Sequence, residues 1–193
     1  MDGTDPALVA RAQAGDHDAF GLLVERHSRA VFRVAYRLTG HEQDAEDVVQ
    51  ETFLRAFRQI GTFESRSNVA TWLYRIAFNC AHDALRRRPL AARHDSIDAA
   101  TAEGLQREIQ DHAPGRDPHR RLESSEISRR VRDGLGELTE LERAAFVLRH
   151  FEGQSIADIG QALGLQTSAT KHSIFRAVQK MRRAVEPLMG TQA

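Results

Sequence analysis

The stretch from Asp44 to Arg58 constrains this chain more than any other. In and just beyond it, apolar residues fall at Ala45, Val48, Val49, Phe53, Ala56, Phe57 and Ile60. Steps of three and four put them on one face of a helix. Asp44, Glu46, Asp47 and Glu51 fill the first turns, and Arg55 and Arg58 the last, the order that complements the helix dipole. Glu51 and Arg55 are also an i,i+4 pair in the favoured orientation. Such a helix has to bury its apolar face against other elements, and no stretch of the chain alternates as a strand does. The expected fold class is therefore all-α. A mixed stripe of Asp47, Gln50, Glu51, Leu54 and Arg55 lies largely off the apolar face. It reads either as a solvated face or as a docking face for another protein.

The 193 residues suffice for one ordinary domain or two small ones. A formal net charge of zero argues against a generally basic nucleic-acid coat protein. Arginine far outnumbers lysine, which occurs only at Lys171 and Lys180; arginine is the better residue for phosphate forks and stacking. The single cysteine, Cys80, permits no intrachain disulfide and reads as a small buried hydrophobe. The N-terminus has no basic segment followed by an apolar core, and no apolar run is long enough to span a bilayer. The expectation is a cytoplasmic protein with no membrane contact of its own.

Asp5-Pro6 reads as a capping carboxylate followed by proline at the first helical position. That helix runs to about Ala14 and stops at Gly15. Asp16 opens a second helix, with Phe20, Leu23, Val24, Val31, Val34, Ala35 and Leu38 at helical spacing up to Gly40. The acidic helix follows and ends at Gly61, and Glu64 to Asn68 is a polar loop. A long helix then starts near Asn68 or Val69 and ends before Pro89. Its expected buried stripe is Trp72, Leu73, Ile76, Ala77, Cys80 and Ala84, with Tyr74, Arg75, Asn79, His82, Asp83, Arg86 and Arg87 more to the outside. Residues 89–122 are poor in apolar side chains and broken by Pro114-Gly115 and Asp117-Pro118. A segment of that length and composition is a flexible linker between two domains, with 1–88 before it and 123–193 after it. The second domain carries Ile127, Val131 and Leu135 on one helix, then Thr139-x-x-Glu142 as a capping box. Phe151-Glu152-Gly153 breaks the capped helix, and Ser155-x-x-Asp158 caps a short one. Gly164-Leu165 turns the chain into a last helix, expected from Thr167 to Glu186 and closed by Pro187.

Two segments suit nucleic acid. Ser155 to Arg183 has the parts of a helix-turn-helix: a short helix, a glycine-containing turn and a longer helix. Its second helix presents Ser168, Lys171, His172, Phe175 and Arg176 away from the apolar stripe of Ile174, Ala177, Val178, Met181 and Val185. From Lys171 to Arg183 there is no acid, so a neutral protein has a local basic surface. The bland alternative is a helical hairpin with a basic end. In the other segment, Phe63 to Arg88, a polar loop leads into a helix with Trp72, Tyr74, Asn79 and Arg86-Arg87-Arg88. Aromatic rings beside arginines suit unstacked single strands; alternatively Trp72 is core and the arginines favour a helix C-terminus.

An enzyme reading rests on the His-Asp doublets His17-Asp18, His82-Asp83 and His94-Asp95. They fall in separate elements, and no CxxC, HExxH, glycine-rich phosphate loop or G-x-S-x-G accompanies them. No enzymatic activity and no cofactor is expected. Two further alternatives are a dimeric helix-turn-helix regulator, which would bind duplex DNA alone, and a helical adaptor, which would not bind DNA.

"DAEDVVQETFLRAFR" resembles the helix with which extracytoplasmic-function (ECF) sigma factors grip bacterial RNA polymerase. "TWLYRIAFNCAHDALRRR" resembles that family's helix for the −10 element, and "LGELTELERAAFVLRHFEGQSIADIGQALGL" its C-terminal domain up to the recognition helix, whose place "SATKHSIFRAVQKMR" takes. The resemblance covers about residues 6 to 188, with the motifs in the family's order. It implies two small helical domains, the second a helix-turn-helix. The partners it implies are core RNA polymerase, promoter DNA and an anti-sigma protein. By resemblance, Asp47, Gln50, Glu51 and Arg55 dock on polymerase. Phe63, Ser65, Arg66, Ser67, Asn68, Asn79, Arg86 and Arg87 hold the −10 region, and Ser168, Ala169, Lys171, His172, Phe175 and Arg176 read the −35 element. One departure is the absence of a common arginine at Ser173, while Ile174 keeps the apolar position.

Overall fold

A computed structural model of the protein describes residues 4–64, 68–87, 129–131 and 133–189, with side chains through residue 186. The linker expected at 89–122 lies outside the described residues, as do Ser65, Arg66, Ser67 and Ile127. Every regular element among the described residues is helical. In chain order they are α1 (Asp5–Gln13), α2 (His17–Thr39), α3 (Glu42–Gln59), a 3₁₀ turn (Ile60–Thr62), α4 (Val69–Arg87), α5 (Glu140–His150), α6 (Ile156–Leu163) and α7 (Thr167–Met189). Residues 129–131 and 133–136 are helical as well.

The chain turns where local chemistry dictates. Asp16 caps α2 by accepting from the Ala19 amide at 3.0 Å, and that bond, with Arg11 beside it, holds its carboxyl below the usual range. Gly40 ends α2 at φ 72°, a left-handed conformation that favours glycine. Thr139 and Glu142 form a complete capping box on α5. Ser155 caps α6, and Gly164 at φ 68° ends it. Three expectations are corrected. Asp5 does not cap α1; Thr4 occupies that position, and the Asp5 carboxylate reaches across to Arg26 at 2.6 Å and His27 at 2.9 Å on α2. α3 yields to the 3₁₀ turn at Ile60, before Gly61. Pro187 does not close α7, which continues to Met189.

α2 is the hub: it packs on α1, α3, α4 and α5. Leu23, Val31, Val34, Ala35 and Leu38 from α2 meet Ala45, Val48, Phe53 and Ala56 from α3, and Leu73, Ile76, Ala77 and Cys80 from α4. Phe57, expected in that core, is 44% exposed and lies edge-on to Phe20 and His17. Thr52 takes the buried place instead, its hydroxyl donating to Val48 O at 2.6 Å. The same apolar cluster continues into the C-terminal half through Ala144, Ala145, Val147, Leu148, Ile159, Ala162 and Leu163, since α5 lies on α2 and α6 lies on α4. Tyr74, expected outside, is therefore buried, and so are Ala81 and Leu85. Behind α5, Leu135 and Leu138 pack on Ala177 and Met181 of α7.

Candidate nucleic-acid and polymerase interfaces

The first face is a groove of about 500 Å³ between α3 and α4. Asp47, Gln50, Glu51, Leu54 and Arg55 line one side, and Cys80, Ala84 and Arg87 the other. Asp47 and Gln50 are exposed, and Leu54 is 46% exposed. Arg55 Nε donates to Glu51 Oε1 at 2.6 Å, and its Nη1 lies 3.5 Å from Asp83 of α4. The Glu51 contact raises the Arg55 pKa and fixes the guanidinium across the groove. Of the four residues expected to dock, Asp47 and Gln50 thus project outward while Glu51 and Arg55 also hold each other. Burial pushes the Cys80 thiol pKa up, which disfavours the thiolate form.

The second face is formed by α4 and the turn before it. Phe63 is buried against Trp72, with ring centroids 4.9 Å apart; it supports the loop and does not offer its ring outward. Gln13 holds the base of that loop, donating to Ile60 O at 2.9 Å and Phe63 O at 2.8 Å. Nothing in the local sequence pointed to Gln13, because its partners lie far along the chain. The Asn68 side chain caps α4, accepting from the Ala70 amide at 2.6 Å. Asn79, Arg86 and Arg87 are exposed, and so is Arg75. Residues 75, 79, 82 and 86 fall on one side of a helix, so Arg75 belongs with Asn79 and Arg86. Arg87 turns away, donating to Asp83 O at 3.2 Å and lining the first groove.

The third face is the N-terminal half of α7. Ser168, Lys171, His172, Phe175 and Arg176 are exposed along one side, and Ala169 is half-buried. Phe175 is 61% exposed. Opposite them, Thr170, Ser173, Ala177 and Met181 are buried, so the inward stripe includes two residues that look polar in sequence. The departure at Ser173 accordingly falls on the inner side of the helix. Gly160 lets α6 and α7 cross closely: a Cβ there would lie 2.9 Å from Leu165 O and 3.1 Å from Thr170 Oγ1. Glu142, whose side chain is 4% exposed, clamps the outer face from behind. It binds Arg176 Nε at 3.1 Å and Lys180 Nζ at 2.8 Å. Burial works to raise the Glu142 pKa, but Lys180 and the Thr139 amide outweigh it and the net shift is downward.

The His-Asp doublets do not converge. His17 packs on Phe57, His82 pairs with Glu140, and His94 lies outside the described residues. Among the described residues no group of His, Cys, Asp and Glu could hold a metal ion. Nor is any described helix long and apolar enough to cross a membrane.

Residues 23–89 match the model for Sigma-70 region 2, and residues 128–181 match Sigma-70, region 4. The chain is 37% identical to the ECF RNA polymerase sigma-E factor of Haemophilus influenzae, over 96% of this chain and 97% of that one. It is 36% identical to the RNA polymerase sigma-H factor of Pseudomonas aeruginosa, over 96% and 95%. Among solved structures, CnrH in complex with the cytosolic domain of CnrY superposes with a TM-score of 0.68 at 29% identity, covering 95% of this chain and 97% of that one. Matching family models in order, relatives aligned end to end and a shared fold lead to one conclusion: the chain belongs to the ECF family of RNA polymerase sigma factors.

Proposed function

We propose that this protein binds core RNA polymerase, directs it to particular promoters and promotes opening of the −10 region, acting in the cytoplasm and without catalysis of its own. Residues 1–88 serve as the polymerase and −10 domain, and 123–193 as the −35 domain, with 89–122 linking them. The observation that carries the reading is the side of α7 bearing Ser168, Lys171, His172, Phe175 and Arg176, which is exposed while Thr170, Ser173, Ala177 and Met181 on the opposite side are buried. Exposed cations and an aromatic at the N-terminal end of the second helix of a helix-turn-helix suit the major groove. Asp47 and Gln50 make the polymerase contact, with Glu51 and Arg55 bracing it. Asn79 and Arg86, joined by Arg75, hold the non-template strand. CnrH, a structural relative, was solved in complex with the cytosolic domain of CnrY, which supports a protein partner besides polymerase here as well.

Asp47→Arg combined with Gln50→Ala tests the docking face. Removing partners of charge-assisted contacts in an interface costs about 2–5 kcal/mol. Core affinity measured by fluorescence anisotropy should fall accordingly while circular dichroism stays unchanged. Unaltered core affinity would remove this face from the proposal.

A further inference from the structure

We propose that Gln13 of α1 is a positioning residue for promoter opening: it fixes the turn that leads toward α4, and so the place where the opened −10 strand is held. The inference rests on the sigma-factor reading and extends its −10 site to α1, which lies ahead of the residues that match region 2.

α1 is secured along its whole length. Leu8, Val9 and Ala12 are buried, and at the N-terminal end Asp5 pairs with Arg26 and His27 of α2. At the other end the Gln13 amide nitrogen donates to Ile60 O at 2.9 Å and to Phe63 O at 2.8 Å. A side-chain amide has two N–H groups, and both are engaged here. The reversed amide would set its oxygen against two carbonyls, so the partners fix which end faces the turn. Ile60 O also accepts from the Phe63 amide at 3.1 Å, closing the 3₁₀ turn. One side chain from α1 thus clamps both ends of the turn from outside.

The clamped residue bears on the −10 face. Phe63 is buried, its ring against Trp72 in the first turn of α4. Its ring is held by α4 and its carbonyl by α1, so the backbone leaves the turn at Glu64 from a fixed point beside α4. Asn68 then caps α4 through the Ala70 amide. The outer side of that helix exposes Arg75, Asn79 and Arg86, which hold the non-template strand in the proposed function. A base drawn out of the duplex is best received by groups already in place, because groups that must be ordered during capture weaken it. Without Gln13 the turn keeps its apolar anchor and the protein its fold. The start of the segment between α3 and α4 gains freedom that strand capture then has to remove. Polymerase docking uses the first half of α3 and −35 reading uses α7, so a change at Gln13 should fall on opening alone.

The test uses the full chain assembled with core polymerase, on a promoter that the wild type transcribes. Gln13→Leu keeps the bulk of the side chain and removes both donors, whereas Gln13→Lys restores a donor of sufficient reach. Affinity for core is read by fluorescence anisotropy, as is holoenzyme affinity for a duplex that carries only the −35 element. Opening is read by permanganate reactivity of unpaired thymines and by affinity for a single-stranded oligonucleotide of the non-template −10 sequence. Gln13→Leu should lower both opening readouts several-fold and leave the other two unchanged, and Gln13→Lys should recover most of the loss. A merely structural role would move all four readouts together or none, and either result overturns the proposal. So would a Gln13→Lys protein as defective as Gln13→Leu, since donation to the two carbonyls would then not be what matters. A wild type that neither binds core nor opens the promoter would overturn the sigma-factor reading itself, whereas an active wild type indifferent to Gln13 overturns the tether alone.

Discussion

Side chains on the outer side of α7 divide by reach and position. Lys171 is a long exposed cation, whereas His172 sits beside it near the N-terminal end that approaches base edges. Lys171→Ala should weaken holoenzyme binding on every promoter alike and reduce the salt slope by about one unit. His172→Ala should reorder a library of −35 variants, with changes of about 1–3 kcal/mol at the affected base pair. Transcription from such a library reads both at once. If His172→Ala scales all promoters equally and Lys171→Ala reorders them, the roles are reversed. Arg176 differs from both, because Glu142 already fixes its guanidinium.

At the level of elements, the helix-turn-helix depends on one absent side chain and one buried carboxylate. Gly160→Ala drives a methyl into Leu165 O and Thr170 Oγ1, an overpacking that should cost about 1–3 kcal/mol. Urea unfolding would register it as a lowered midpoint with an unchanged slope. Glu142 adds a pH dependence. Its folded pKa lies below the ordinary 4.5, so its ion pairs contribute stability above that value and lose it as pH falls through the folded pKa. Melting temperature should drop in this acid range for the wild type and drop less steeply for Glu142→Gln, which removes the titrating group. Parallel curves for the two proteins would show that Glu142 is not the group responsible.

For the whole molecule, one apolar cluster spans both halves, and Arg143 ties them. Arg143 is 5% exposed, and its guanidinium donates to Leu135 O at 3.0 Å within its own half and to Leu38 O at 3.1 Å across the interface. Calorimetry of the wild type should therefore give a single transition. Arg143→Ala leaves buried carbonyls without their donor, at about 1–3 kcal/mol each, and should separate the trace into two transitions. A single transition at the wild-type temperature would contradict the shared core.

Where each helix starts and stops, and which side of it is apolar, follows from residues a few positions apart. The caps at Asp16, Thr139 and Ser155 and the turns at Gly40 and Gly164 were legible for that reason, as were the all-α class and the outward positions of Asp47, Gln50, Lys171 and His172. Contacts between distant segments leave no such local trace. Tyr74 looks like a surface residue until Glu152 reaches it, and Thr170 and Ser173 look polar in sequence although α7 turns them inward. Asp5 has the position of a cap, but an ion pair with α2 claims it, and Gln13 becomes significant only when the loop it tethers lies beside it. Sequence periodicity determines which face of a helix is buried. Only the tertiary structure decides what that face is buried against, because each helix can satisfy its apolar stripe with any complementary neighbour, and the choice among neighbours is made by the whole chain at once.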